Sequence, residues 1–314
     1  LLRGPSGRRR VKYRIEHETR VVFPAPVREH HTELRLAPID DHTQQLLGFR
    51  LEVEPKAEVY GYRDCFGNQV HHFAIMSGLD HLITRMHAEV ETLVANPFEY
   101  ETVAPARERA WIEHSLRQAP RLWDFVLYRS PATPALPDDL DGLSVPGYAS
   151  GLPLLQQVQA AMVWVHENFE YDPDITHVHS ALEEVLEARA GVCQDFAHLL
   201  IAVVRAWGFP ARYVMGYQDA AYFDPDEDEA DAEPLPQATH AWAEVLIPGA
   251  GWRGFDPTHR ILADDTYIRV AVGRDYRDAA PQRGSFKGEQ ASAEPEVLLE
   301  VRRQATQRQQ QRQT

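Results

Sequence analysis

The sequence predicts an α+β protein, in which an N-terminal antiparallel β domain precedes a domain whose core helix packs on an antiparallel sheet. Three observations carry this expectation. Apolar and polar residues alternate from Tyr13 to about residue 94, an apolar stripe recurs at helical spacing from Phe196 to Trp207, and alternation returns after Gly208. The 314 residues, 44% of them hydrophobic, can build two cores. We divide the chain into a β-sandwich-like domain over 11–95, a helical and Pro-rich connection over 96–150, a second domain over 151–303 and a disordered tail over 304–314.

In the first domain, the alternating runs at 13–19, 47–53, 59–62 and 70–75 predict strands. Phe66-Gly67-Asn68 supplies the hairpin turn between the last two, because Gly and Asn tolerate the positive φ such turns need. Cys65 stands beside this turn without an evident acid-base partner. The connection carries a helical stretch at 111–118 and a segment rich in Pro, Asp and Gly from Pro131 to Pro146.

Pro153 then suits the first turn of a helix that presents Leu154, Leu155, Val158, Met162, Val165 and Phe169 at helical spacing. Ser180-Ala-Leu-Glu183 has the pattern of a capping box, opening a short helix to Ala190, with Gly191 expected as its left-handed C-terminal cap. The next helix starts at Cys193 and buries Phe196, Leu199, Leu200, Val203, Val204 and Trp207 on one stripe until Gly208 and Pro210 end it. Strands are expected at 212–217, 240–247, 252–256 and 267–272, and 296–303 is a candidate closing strand. The Gln- and Arg-rich end beyond Gln304 has too few apolar residues to fold.

Composition narrows the function. A formal charge of −15 disfavours nucleic acid and anionic membranes, whose phosphates require Lys and Arg, and favours neutral or cationic partners. Two distant cysteines do not make a secreted disulfide framework, so a reducing, cytoplasmic setting is expected. No apolar run nears the roughly 18 residues of a spanning helix, and residues 1–10 read as a disordered or appended leader. Oligomeric state has no signature here.

The chemistry centres on Cys193. A cysteine at a helix start feels unsatisfied N–H groups and the positive end of the helix dipole, which favour thiolate over thiol. Those same N–H groups can bond the oxygen that becomes negative when a thiolate attacks an acyl carbon. Taken singly, Cys193 reads as a small buried hydrophobe, His240 as a strand-end histidine and Asp256 as half of an Asp-Pro turn. In chain order, on a helix start and two adjacent strands, they are a candidate Cys-His-Asp triad.

That candidate sets a register condition. His240, Trp242, Glu244 and Leu246 share one strand face, and Asp256 reaches the same face only if paired residue numbers sum to an even value. Pairing Leu246 with Trp252 does this, placing Asp256 opposite Trp242 and diagonal to His240, with 247–251 as a five-residue turn.

Other clusters carry less. Adjacent histidines, His30-His31 and His71-His72, point to opposite faces of a strand and chelate poorly. His177 and His179 could join Cys193 around a metal, a metallohydrolase alternative ranked below the triad, so neither metal nor cofactor is expected. Residues 224–233 hold seven acids in ten; a solvated loop is the simpler reading, and attraction of a cationic substrate is the sharper one.

Three motifs, Gly191-Val-Cys-Gln-Asp-Phe-Ala-His198, Thr239-His-Ala-Trp-Ala-Glu244 and Gly251-Trp-Arg-Gly-Phe-Asp-Pro-Thr258, resemble the bacterial transglutaminase-like superfamily. The segment from Asp275 to Pro281 and the Phe66–Asn68 hairpin resemble its wider pattern, in which a small β domain precedes the catalytic one. The resemblance implies a papain-like core with Cys193 as nucleophile, His240 as general base and then acid, and Asp256 orienting the imidazole. It implies a thioester formed from peptide, isopeptide or side-chain amides of a peptide or protein substrate. Hydrolysis, as a peptidase or amidase, is favoured; transfer to an amine, as a transglutaminase, is the alternative, and a non-catalytic peptide-binding module is the rival from another class. Many relatives carry Asn where this chain has His259, which receives no catalytic role. The second oxyanion donor is unplaced, with Gln156, Gln157 and Trp164 as candidates.

Overall fold

Alternation sustained over 24 residues makes β1 (Val11–Leu34), whose inward residues Val11, Tyr13, Ile15, His17, Thr19 and Val21 are all buried. In the computed structural model, which describes residues 10–93, 96–140, 142–219, 239–288 and 295–304, this strand organises the first domain. The strands that follow are β2 (Gln44–Glu54), β3 (Tyr60–Arg63), β4 (Gln69–Ile75) and β5 (Leu79–Thr92). β1 pairs with β5 up to Val22, shifts register before Val27, and continues beside β4, giving the sheet order β2-β5-β1-β4-β3. Such an irregularity bends a strand. Phe49 of β2 stacks on His71 of β4 at 4.9 Å, so the two halves of the bent sheet face each other.

The connection contains α1 (Pro105–Gln118), α2 (Asp124–Leu127) and the two-residue strands β6 (Asp139–Leu140) and β7 (Leu143–Ser144). Then come α3 (Leu154–Asn168), β8 (Glu170–Tyr171), α4 (Leu182–Ala188), β9 (Ala190–Gly191) and α5 (Cys193–Ala206). The second sheet is antiparallel. It takes the order β13-β12-β11-β10-β14 from β10 (Ala211–Gln218), β11 (His240–Ile247), β12 (Gly251–Asp256), β13 (Ile261–Leu262) and β14 (Tyr267–Gly273). α5 lies on β10 and β11, and α3 packs behind α5. The fold is thus α+β, as the periodicities require.

Buried Arg205 fastens α5 to its surroundings. Its guanidinium donates to the carbonyls of Phe125, Ala211, Tyr128 and Arg274 and to Thr133 Oγ1, at 2.6–3.2 Å. One cation thereby satisfies carbonyls from the connection, the start of β10 and the end of β14, groups that would otherwise be buried without partners.

Two expectations need correction. The left-handed residue ending α4 is Arg189, at φ +54°, and not Gly191, which lies in β9 beside Tyr171 of β8. Gly191 is required for space: a Cβ there would sit 2.9 Å from Asp195 Oδ2. The closing strand expected at 296–303 forms as β16 (Glu296–Gln304), but in the first sheet. It pairs with β1 from Lys12↔Gln304 to Arg20↔Glu296. After α6 (Tyr276–Ala279), β15 (Gln282–Lys287) likewise joins β1, from Arg28↔Lys287 to Leu34↔Gln282. Over 12–20 and 31–34 both flanks of β1 are thereby hydrogen-bonded, which removes an unpaired edge there.

The first domain also covers the free edge of β14. Asn68 donates to Val272 O and accepts from Val272 N, both at 2.8 Å, and Gln44 makes the same pair of bonds to Arg269, both at 2.8 Å. Two side-chain amides thus substitute for a neighbouring strand. The acidic run 224–233 and the tail after Gln304 lie outside the described residues, among which no helix is long and apolar enough to cross a membrane.

Candidate active site

Cys193 is the first residue of α5, at the corner where β9 turns into the helix. Phe196 N–H bonds Val192 O, and the buried Asp195 carboxylate accepts from Val192 N at 3.0 Å and from Thr176 Oγ1 at 2.7 Å. The corner is therefore fixed from both sides. The N–H of Cys193, at the first helical position, has no acceptor within the helix. Its side chain is partly exposed, and the thiol is free, as is that of Cys65.

The hairpin from β11 to β12 has the expected pairing, Leu246↔Trp252, with Ala243↔Phe255 farther along. Pairing extends to Ile247↔Gly251, so the turn is 248–250, shorter than expected, with Gly249 and Gly251 both at positive φ. The even register brings His240 and Asp256 to one face. His240 Nε2 lies 2.7 Å from Asp256 Oδ2, leaving Nδ1 as the ring nitrogen for its bond with Cys193.

Alternation also places the small residues Ala241 and Ala243 on the face towards α5, where the helix approaches closely. Trp242, on the His240 face, stacks beside the imidazole at 6.2 Å and meets Tyr267 edge-on at 5.1 Å. Gly254 leaves room for that indole: a Cβ would come within 3.0 Å of Trp242 Nε1.

Asp256 is fully buried and has more partners than the sequence indicated. Its Oδ2 accepts from His240, from Tyr267 OH at 2.6 Å and from His259 Nδ1 at 2.8 Å, while Oδ1 accepts from Thr258 N at 2.8 Å. Burial opposes this carboxylate's charge, but the imidazoles of His240 and His259 overcome that and hold its pKa well below the usual range. Burial likewise opposes charge on His240, yet Asp256 and Cys193 outweigh it, and its pKa is pushed up to about 10. With its pKa raised this far, His240 holds its proton at neutral pH, between the Asp256 carboxylate and the Cys193 sulfur. His259 and Tyr267 were legible only as a residue after the Asp-Pro-Thr turn and the start of a strand.

The expected alternatives separate from this cluster. His177 Nδ1 is bonded to Ser180 Oγ at 2.9 Å, and the group of described residues whose donor atoms lie close enough to share a metal ion, within 4.8 Å, is His240, Asp256 and His259. Gln157 is committed elsewhere, accepting from Ala149 N at 2.7 Å and donating to Leu152 O at 2.8 Å. Gln156 points to solvent, and Trp164 packs edge-on against Phe169.

The fold is that of the transglutaminase-like superfamily, to which the chain belongs. The superfamily profile matches residues 146–257, and a bacterial transglutaminase-like N-terminal region matches 13–91. Protein ML0607 of Mycobacterium leprae is 30% identical over 295 residues, 94% of this chain and 99% of its own. Rv2569c of Mycobacterium tuberculosis is 31% identical over 301 residues, 92% of each chain. A protein-glutamine gamma-glutamyltransferase of Pseudomonas aeruginosa is 30% identical over 140 residues, 44% of this chain and 20% of that protein. A solved structure from Cytophaga hutchinsonii, described provisionally as a cysteine protease, shares the fold with TM-score 0.70 at 23% identity, covering 95% of this chain and 92% of its own.

Proposed function

We propose that the protein is a thiol hydrolase acting on peptide, isopeptide or side-chain amide bonds, with Cys193 as nucleophile, His240 as proton carrier and Asp256 as the group that orients and charges the imidazole. The observation that carries this reading is the 2.7 Å bond from His240 Nε2 to a fully buried Asp256, with Cys193 bonded to the same imidazole at a helix start. In the first step the Cys193 sulfur bonds the amide carbon and the carbonyl electron pair moves onto oxygen. The tetrahedral adduct then collapses, the C–N bond breaks, and imidazolium His240 gives its Nδ1 proton to the leaving amine.

A thioester on Cys193 remains, and neutral His240 now takes a proton from water as it attacks. Collapse releases the acid and restores thiolate and imidazolium. With its pKa raised by Asp256 and Cys193, His240 holds the proton that it hands to the leaving amine, and it then acts as base towards water. Partial exposure of Cys193 leaves the thioester open to an incoming nucleophile.

The substrate in this reading is a peptide or protein, in keeping with the net charge a neutral or cationic one, and two free thiols fit a reducing cytoplasmic setting. Turnover of a peptide pool, read by mass spectrometry with and without a primary amine, tests the proposal. We expect hydrolysed products, lost in Cys193→Ala. Amine incorporation at glutamine would establish the transglutaminase reading instead, and binding of peptides without turnover by the wild type would establish a binding module.

A further inference from the structure

A cavity of about 290 Å³ is lined by β1, β15 and β16 of the first sheet together with Thr239, just before β11, and Tyr276, at the start of α6. Val21, Phe23, Leu36, Phe286 and Val297 give it an apolar wall, and Phe286 and Val297, 38% and 41% exposed, stand at its mouth. Among the described residues that line it there is no Asp, Glu, Lys or Arg. The titratable side chains there are His17, His30 and Tyr276. His17 is bonded to Tyr217 OH at 3.0 Å and to Thr19 Oγ1 at 3.1 Å, and burial pushes its pKa down to about 4. Burial, and then His31, lower that of His30, while burial raises that of Tyr276. The lining is therefore uncharged at neutral pH.

The wall given by the second domain adjoins the triad. Thr239 immediately precedes His240, so the two Cα atoms lie about 3.8 Å apart. Tyr276 N–H donates to His198 Nε2 of α5 at 3.0 Å, and its ring meets Tyr213 of β10 edge-on at 6.3 Å. Tyr213 in turn has its pKa raised by burial and then by the charge of Cys193. The cavity is thus one residue from His240 and one ring from a side chain that feels the nucleophile. Its volume is near the ~300 Å³ lower end of small-molecule sites, which suits one large side chain rather than a cofactor.

Building on the thiol acyl-transfer reading above, we propose that this cavity is a specificity subsite that takes one aromatic or long aliphatic side chain of the peptide substrate, beside the amide to be cleaved. With no acid among its described lining residues, it rejects Lys and Arg, whose charge would be buried there without a partner. The net charge of the chain draws cationic substrates in general, but this position is reserved for a neutral, apolar side chain. Removing that side chain from water supplies the binding energy, so the first domain recognises the substrate while the second performs the chemistry.

Hydrolysis of a peptide library, with cleavage sites mapped by mass spectrometry, tests this in the wild type and in Val297→Glu, a change at a residue exposed enough to spare the fold. We expect Phe, Leu, Ile or Met to exceed Ala at one position flanking the cleaved amide by about 10–200-fold in kcat/KM, the range over which apolar pockets discriminate. Val297→Glu should erase that preference and admit Lys and Arg at the same position, with preferences elsewhere and the rate of Cys193 alkylation unchanged. No apolar preference in the wild type, or one that Val297→Glu leaves in place, would overturn the subsite. Saturation-transfer NMR on Cys193→Ala reads the cavity without turnover: N-acetylphenylalaninamide should bind in preference to N-acetyllysinamide, and the order should reverse when Val297→Glu is added. Equal signals from the two amides would also overturn it. Binding by a protein that forms no product and whose Cys193 resists alkylation would overturn the hydrolase reading, and with it the assignment of the occupant as a substrate side chain.

Discussion

Asp256 is the residue whose surroundings decide the chemistry, because one oxygen, Oδ2, serves His240, His259 and Tyr267. Asn at this position keeps the volume but presents either an amide that cannot accept three donors or one that repels His240 Nε2–H. We expect Asp256→Asn to lower kcat by about 10⁴-fold, as wrong-tautomer substitutions do in other triads, while peptide mapping after iodoacetamide still finds Cys193 alkylated, beside the exposed Cys65. The same pair makes stability depend on pH. His240 is raised from 6.5 to about 10, so its contribution is complete below pH 6.5, declines as pH rises and is gone above about 10. Asp256 is depressed from 3.8, so its contribution is complete above that value and is lost as pH falls through the lowered one. Urea unfolding at pH 6 and at pH 10 should show the wild type losing stability at the alkaline end and Asp256→Asn losing less; parallel curves would dissociate the pair from folding.

At the scale of elements, the β11–β12 hairpin brings the two residues together, and its turn sets the register. Gly249 and Gly251 both take left-handed φ, +80° and +76°, but a Cβ on Gly249 would sit 2.0 Å from Glu101 O whereas one on Gly251 meets open space. Gly251→Ala should therefore cost about 1 kcal/mol of backbone strain and Gly249→Ala distinctly more, about 3 kcal/mol, in thermal unfolding. Equal costs would mean that the turn does not rest on residue 101. The register was readable beforehand because strand side chains alternate strictly, so a one-residue slip would have turned Asp256 away from His240. The helix carrying Cys193 was equally readable from its apolar stripe. Arg189 was not: a non-glycine residue in the left-handed region is held there by its context, while Gly191 was needed for clearance from Asp195. His259 received no role and Tyr267 escaped notice because their convergence on Asp256 joins a turn to a strand that pairs elsewhere, with β10.

At the scale of the molecule, the last described strand lies beside the first. Alternation identified 296–303 as a strand but carried no information about its partner, and β16 lies on β1 in the first sheet. The two domains are also joined by amides: Asn68 and Gln44 satisfy the backbone of β14 in place of a strand. Asn68→Ala leaves the buried N–H and C=O of Val272 without partners, at about 1–3 kcal/mol for each. We expect a fall in the unfolding midpoint larger than that of an exposed substitution such as Lys12→Ala. A midpoint unchanged by Asn68→Ala would show that the first domain merely abuts the second.

The central claim is that Cys193 carries an acyl group, and intact-protein mass spectrometry after acid quench tests it most directly. Brief exposure to p-nitrophenyl acetate should add one acetyl group, located on the peptide containing Cys193, removed by hydroxylamine and missing in Cys193→Ala. An adduct found on Cys65 instead, or an acetyl group that survives in Cys193→Ala, would contradict the account.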